Sequence, residues 1–149
     1  MAREHASGIF ILRKDGKLLI CHPTNHAVDF YSIPKGKIEL GETKIEAAIR
    51  ETFEETNINL FETNDFYITQ LESVGYRSGK KTLHSFLYKE KLISTFDWDN
   101  IEIKCNSNVP IERGGFPEMD GYKWVEISEA KPLLHETQVI ALSQIEDNL

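Results

Sequence analysis

At 149 residues, with 40% hydrophobic and 28% charged side chains, the chain has the composition of one ordinary folded domain, spanning 1–149. That length buries a core without disulfide or metal support. The balance of 24 acidic against 17 basic residues, a net charge of −7, argues against broad electrostatic binding of nucleic acid, because that binding needs Lys and Arg to neutralise phosphates. The first apolar run, Gly8-Ile9-Phe10-Ile11-Leu12, is too short for a membrane span or a signal core, and two cysteines form no disulfide framework, so a cytoplasmic setting is expected.

Residues 8–13 and 17–22 are apolar, β-rich runs separated by Lys14-Asp15-Gly16, a strong hairpin signal. Phe30-Tyr31-Ser32-Ile33-Pro34 reads as a short extended piece. A helix is expected over 43–56, opened by the capping box Thr43-Lys44-Ile45-Glu46, with Ile45, Ala48, Ile49, Thr52, Phe53 and Thr56 forming one apolar stripe. Residues 66–76 and 82–90 carry β-propensity. The stretch 91–120 is the least regular, with Ile101-Glu102-Ile103-Lys104-Cys105 a short strand inside it and Gly114-Gly115 a breaker. A strand from Tyr122 to Ile127, a short helix capped by Ser128 and a final helix through Val139, Ile140, Leu142 and Ile145 complete the chain. Strands alternating with two or three helices point to an α/β fold, a mixed sheet between helices.

The chemistry concentrates around the helix at 43–56. At about 100° per residue, Glu51, Glu54 and Glu55 fall in one arc, where three carboxylates repel unless something compensates them. A solvated acidic face is one reading; a bound divalent cation is the other. Mg²⁺ suits such a site, because it takes oxygen ligands and keeps waters that substrate phosphates can share or replace. The loop before the helix, Pro34-Lys35-Gly36-Lys37-Ile38-Glu39-Leu40-Gly41-Glu42, adds lysines that can meet phosphate and glycines that permit close approach.

Together the loop and helix read Gly36-x5-Glu42-x7-Arg50-Glu51-Thr52-x-Glu54-Glu55-x-Asn57-Ile58, which resembles the Nudix box G-x5-E-x7-R-E-U-x-E-E-x-G-U. The match spans 23 residues and agrees at seven of nine specified positions; Thr52 and Asn57 are the departures, and neither is a ligand position. Asn57 stands where the helix ends, and Asn is the next-best residue after glycine for a left-handed cap. The lead-in Tyr31-Ser32-Ile33-Pro34-Lys35-Gly36 is similar to that of the diadenosine tetraphosphate hydrolases and RNA pyrophosphohydrolases, and Glu118, six residues before Trp124, matches a loop glutamate of several members.

The resemblance implies a Nudix-type α/β/α sandwich and Mg²⁺-dependent hydrolysis of a nucleoside diphosphate linked to another group, with Mn²⁺ able to replace Mg²⁺. A dinucleoside polyphosphate is the expected small-molecule substrate. An RNA 5′-triphosphate end and a nucleotide-binding module without turnover are the alternatives. It further implies Glu51, Glu54 and Glu55 as metal ligands with the Lys35 carbonyl, and Glu51, Glu54 or Glu118 as the base, Glu118 serving otherwise as a further ligand. Arg50 is expected to pair with a glutamate of the box, and Glu42 to tie the loop to the helix start. Lys35, Gly36 and Lys37 are expected beside substrate phosphates, and Tyr31, with Phe30, Tyr76 and Tyr88, is a candidate to hold a base.

Overall fold

A computed structural model describes residues 3–147. Its centre is strand β1 (Glu4–Leu12), which runs parallel to β6 (Lys81–Glu90) over nine residue pairs, from Glu4↔Lys81 to Leu12↔Lys89. On its other side β1 meets β2 (Lys17–Pro23) beside the hairpin turn, at Leu12↔Leu18, and β3 (Lys35–Lys37) at Ala6, Ser7 and Gly8. The expected Asp-Gly hairpin is present: Gly16 takes a positive φ of 86°, and Asp15 accepts from the Lys17 N–H at 3.2 Å.

The remaining strands are β4 (Phe66–Gln70), β5 (Val74–Gly75) and β7 (Met119–Glu126). The sheet order is β4-β6-β1-β2-β7, with β3 beside β1 and β5 beside β6, giving seven strands of mixed direction. Helix α1 (Lys44–Thr56) covers one face and α3 (Glu136–Asp147), preceded by the short α2 (Ile127–Ala130), covers the other. Burial on both faces explains why β1 reads as a continuous apolar run rather than an alternating one. Phe10 and Leu12 pack with Leu18, Ile33, Leu142 and Ile145, while Ile9 and Ile11 pack with Leu19, Ala48 and Phe86. This is the α/β/α sandwich expected from the sequence.

The capping box forms as read: the Glu46 N–H donates to Thr43 Oγ1 at 3.2 Å and the Thr43 N–H to Glu46 Oε1 at 3.0 Å. Asn57 ends the helix in the left-handed conformation, φ 66°. The inward face of α1 keeps the expected stripe except at one position, with Ile45 and Ile49 packed against the core. Ala47, Ala48, Thr52 and Thr56 are buried together with Glu51 and Glu55, whereas Phe53 is 45% exposed. Two carboxylates thus join the apolar stripe on the side that faces the sheet, and Phe53 is left half-exposed.

Three other expectations are corrected. Residues 66–76 form two strands rather than one, broken where buried Leu71 donates its N–H to Ser85 O. Residues 101–105 form no strand; the Lys104 and Asn106 N–H groups instead donate to Thr56 O and Glu54 O, carbonyls at the end of α1 that lack a helical partner. Ser128 lies within α2, whose N-cap is Glu126. In α3, Ile140 points outward at 56% exposure, while Leu142 and Ile145 are buried as expected.

The left-handed cap sets a stability test. Asn57→Ala is expected to cost about 1–2 kcal/mol, since a Cβ without a polar group disfavours this conformation, and Asn57→Gly to cost less; equal losses in urea titrations would contradict the cap.

Candidate active site

Strand β3 and helix α1 build the site because glycine lets them touch. A Cβ on Gly36 would lie 2.1 Å from the Glu51 carboxyl carbon, so only glycine leaves room for that side chain. Gly8 has the same role on the neighbouring strand β1, where a Cβ would meet Lys35 Cβ at 2.8 Å. The strand β3 therefore passes close beneath α1, and the Lys35 N–H donates to Glu55 Oε1 at 3.1 Å.

Arg50 gathers the other carboxylates. Its Nε and one terminal nitrogen hold Glu42 at 2.7 and 2.9 Å, while the second terminal nitrogen reaches Glu51 at 2.8 Å and Glu54 at 3.1 Å. The Lys37 carbonyl accepts from the same guanidinium at 3.0 Å. Hydrogen bonding to Glu42 raises the Arg50 pKa, so the group is a permanent cation that fixes the rotamers of three glutamates. The same bond holds the Glu42 carboxyl below its usual range. Arg50 pairs with the glutamates of the helix as expected, whereas Glu42 ties the loop to Arg50 in mid-helix and accepts from the Glu39 N–H at 2.9 Å rather than binding the helix start.

Glu55, Lys35 and Glu118 line a cleft of about 690 Å³, within the range of ordinary ligand sites. Burial pushes the carboxyls of Glu55, Glu51 and Glu118 upward, Glu55 the furthest. Neighbouring carboxylates add to each shift: Glu51 acts on Glu55, and Glu54 on both Glu51 and Glu118. Burial and the charge of Lys81 push the Lys35 ammonium down. The site thus concentrates carboxylates that lack full compensation. Among the described residues no three His, Cys, Asp or Glu side chains converge as a metal cage. The donors on offer are all anionic oxygens, the chemistry of a hard divalent cation.

Glu118 is held by its backbone. Its N–H donates to Ser107 O at 3.1 Å and its carbonyl accepts from the Thr24 N–H at 3.0 Å, immediately before β7. The other expected residues separate. Tyr31 is 7% exposed within the core, its ring under the Lys123 ammonium and beside His22. The Lys37 ammonium lies 3.9 Å from Glu4, outside the cleft. Phe30, Tyr76 and Lys81 do line the cleft, together with Arg113, Phe116 and His135, which sequence reasoning missed as site residues. The only signal for the first two was their position around Gly114-Gly115.

The upward shift of Glu55 gives a sign that can be measured. A carboxyl whose pKa is raised on folding contributes fully below its unfolded value and loses that contribution as pH rises through the folded value. Without metal, Glu55→Gln is therefore expected to melt above the wild type at about pH 8, with the difference shrinking toward about pH 4. A difference independent of pH would contradict the buried charge.

Comparison with known proteins agrees with this fold. An RNA pyrophosphohydrolase of Sodalis glossinidius is 27% identical over 119 residues, covering 79% of this chain and 66% of that protein, so the match spans a little under two thirds of its length. The crystal structure of C. elegans Ap4A hydrolase superposes with a TM-score of 0.69 at 23% identity, covering 98% of both chains. The E. coli dihydroneopterin triphosphate pyrophosphohydrolase gives 0.69 at 19% identity, covering 100% of both chains. The model of the NUDIX domain matches residues 2–144. With its box assembled around Gly36, Arg50 and four glutamates, the chain belongs to the NUDIX family.

Proposed function

We propose that this chain is a Mg²⁺-dependent hydrolase of a phosphoanhydride bond in a nucleoside diphosphate linked to a further group, with a dinucleoside polyphosphate as substrate and Mn²⁺ able to serve. The observation that carries the reading is the pairing, in one cleft, of uncompensated carboxylates with cationic side chains. Glu55 and Glu118 line it beside Lys35, Lys81 and Arg113. Carboxylates alone repel a phosphate chain, and cations alone bind it without chemistry.

Glu51, Glu54 and Glu55 would hold the metal, with the Lys35 carbonyl as a fourth donor and Glu118 as a fifth or as the base. When bound, the ion supplies Lewis-acid polarisation of the phosphoanhydride and lowers the pKa of the attacking water. The protein's own contribution is positional and protonic. Arg50 keeps Glu51 and Glu54 aimed, Lys35 and Lys81 hold phosphate oxygens, and one of Glu118, Glu51 and Glu54 takes the proton of the attacking water. Water adds to one phosphorus as its bridging P–O bond breaks, and the leaving phosphate departs with the bridging oxygen.

Similarity to the Sodalis RNA pyrophosphohydrolase points to a second substrate, the 5′-triphosphate end of RNA. Against it stands the net charge of −7, which gives an RNA body little to bind. Diadenosine tetraphosphate with Mg²⁺ in ¹⁸O-labelled water is expected to give ATP and AMP, one of them labelled. Glu54→Gln is expected to lower that rate by orders of magnitude while keeping the melting curve. Release of pyrophosphate from triphosphorylated RNA, with diadenosine tetraphosphate inert, would transfer the assignment to RNA, and inertness of both with Mg²⁺ and Mn²⁺ would overturn it.

A further inference from the structure

Away from the cleft, one border of the sheet is left open. Strand β4 stands at the end of the order β4-β6-β1-β2-β7, so β6 holds one of its edges, and no described strand pairs with the other. The hydrogen-bonding phase identifies the groups on that free edge. The Lys91 N–H donates to Asp65 O at 2.7 Å and the Leu71 N–H to Ser85 O at 2.9 Å, and the pairs between them run from Phe66↔Glu90 to Gln70↔Phe86. Bonded pairs alternate along an antiparallel ladder, so Asp65, Tyr67, Thr69 and Leu71 turn their backbone polar groups to β6. Phe66, Ile68 and Gln70 turn theirs outward, where nothing among the described residues meets them. At Val74↔Leu83 the register has moved by one residue, so a bulge at 71–73 ends the regular run.

An open edge templates another strand, and proteins normally guard it with charge, proline or irregularity. The opposite border follows that rule, since β7 carries Asp120, Lys123 and Glu126. Phe66-Tyr67-Ile68-Thr69-Gln70 holds no charge and no proline, and Tyr67 and Ile68 are exposed on its two faces. Phe61 just before β4, and Leu92 and Ile93 just after β6, are exposed as well, and Tyr67 shares one open groove with Leu92 and Ile93. These five side chains present on the order of 700 Å² per copy, near the ~800 Å² per partner of a stable interface.

We propose that β4 pairs antiparallel with β4 of a second copy of this chain, across a two-fold axis at Ile68. Only one register sets all three outward residues of each copy against outward residues of the other: Phe66 against Gln70, Ile68 against Ile68, and Gln70 against Phe66. Each of these pairs exchanges two N–H···O bonds. The same register brings the two Ile68 side chains together and sets Tyr67 against Thr69, an aromatic against a β-branched residue. A second copy fits because the segment is its own complement, and its lack of charge keeps the net charge of −7 away from the contact. Such an isologous contact closes at two copies and leaves only the charged β7 borders open.

Sedimentation velocity of the full chain over about 1–100 μM tests the pairing, and the wild type is expected to pass from monomer to dimer in that range. Ile68→Lys sets two ammonium groups against each other at the axis. Gln70→Pro removes an outward N–H and leaves the bonds to β6 intact. Each is expected to weaken dimerisation at least about tenfold, with the melting curve of the wild-type monomer retained. Amide hydrogen exchange of the wild type gives a readout without substitution: the Ile68 and Gln70 amides are expected to slow severalfold from the dilute to the concentrated end, and those of Tyr67 and Thr69, already bonded to β6, to change less. A monomer at about 100 μM, a dimer of unchanged affinity in both variants, or Ile68 and Gln70 exchange independent of concentration would overturn the proposal.

Discussion

Two carboxylates sit where water cannot solvate them, and the rest of the site is arranged around that fact. Glu51 is 9% exposed and Glu55 3%, both on the face of α1 that meets the sheet. A helix normally places its largest apolar side chains there, yet here Phe53 is turned outward. The cost of burial is offset partially by Arg50 over Glu51 and by the Lys35 N–H at Glu55. The remainder stands as raised carboxyl pKa values, a burial cost that a cation bound in the proposed way would relieve.

That constraint accounts for local choices elsewhere. Gly36 exists in β3 because Glu51 fills the space its side chain would take. Gly8 lets β3 run against β1 closely enough for Lys35 to reach Glu55 through its backbone. The loop from Lys37 to Glu42 bends around the guanidinium, giving it a carbonyl at one end and a carboxylate at the other. Thr52, where the family prefers an aliphatic residue, is fully buried and spends its hydroxyl on Ala48 O within the helix, so it fits the interior without an unmet donor.

How much could be read in advance follows from how local each signal is. The capping box, the left-handed end at Asn57 and the carboxylate arc are set within one helix, and they emerged as read. The outward turn of Phe53 and the burial of Glu55 did not, because side-chain periodicity assigns residues to faces by hydrophobicity, and a buried carboxylate breaks that rule. Residues 101–105 alternate as a strand would, with Ile101 and Ile103 packed on the core, but their backbone caps a helix brought close only by the tertiary fold. Arg113, Phe116 and His135 reach the cleft from separate segments, and no spacing in the chain announces that meeting. Lys81 likewise reaches the cleft from β6, where it stands over Tyr76.

The central claim is that Glu55 is a buried acid whose proton a divalent cation displaces in the proposed function. Calorimetric titration of Mg²⁺ into the protein, in two buffers of different ionisation enthalpy near pH 6, measures it directly. The account predicts proton release on binding in the wild type, seen as a heat that depends on the buffer, and its loss in Glu55→Gln. Binding with the same heat in both buffers, or with undiminished proton release in Glu55→Gln, would contradict it.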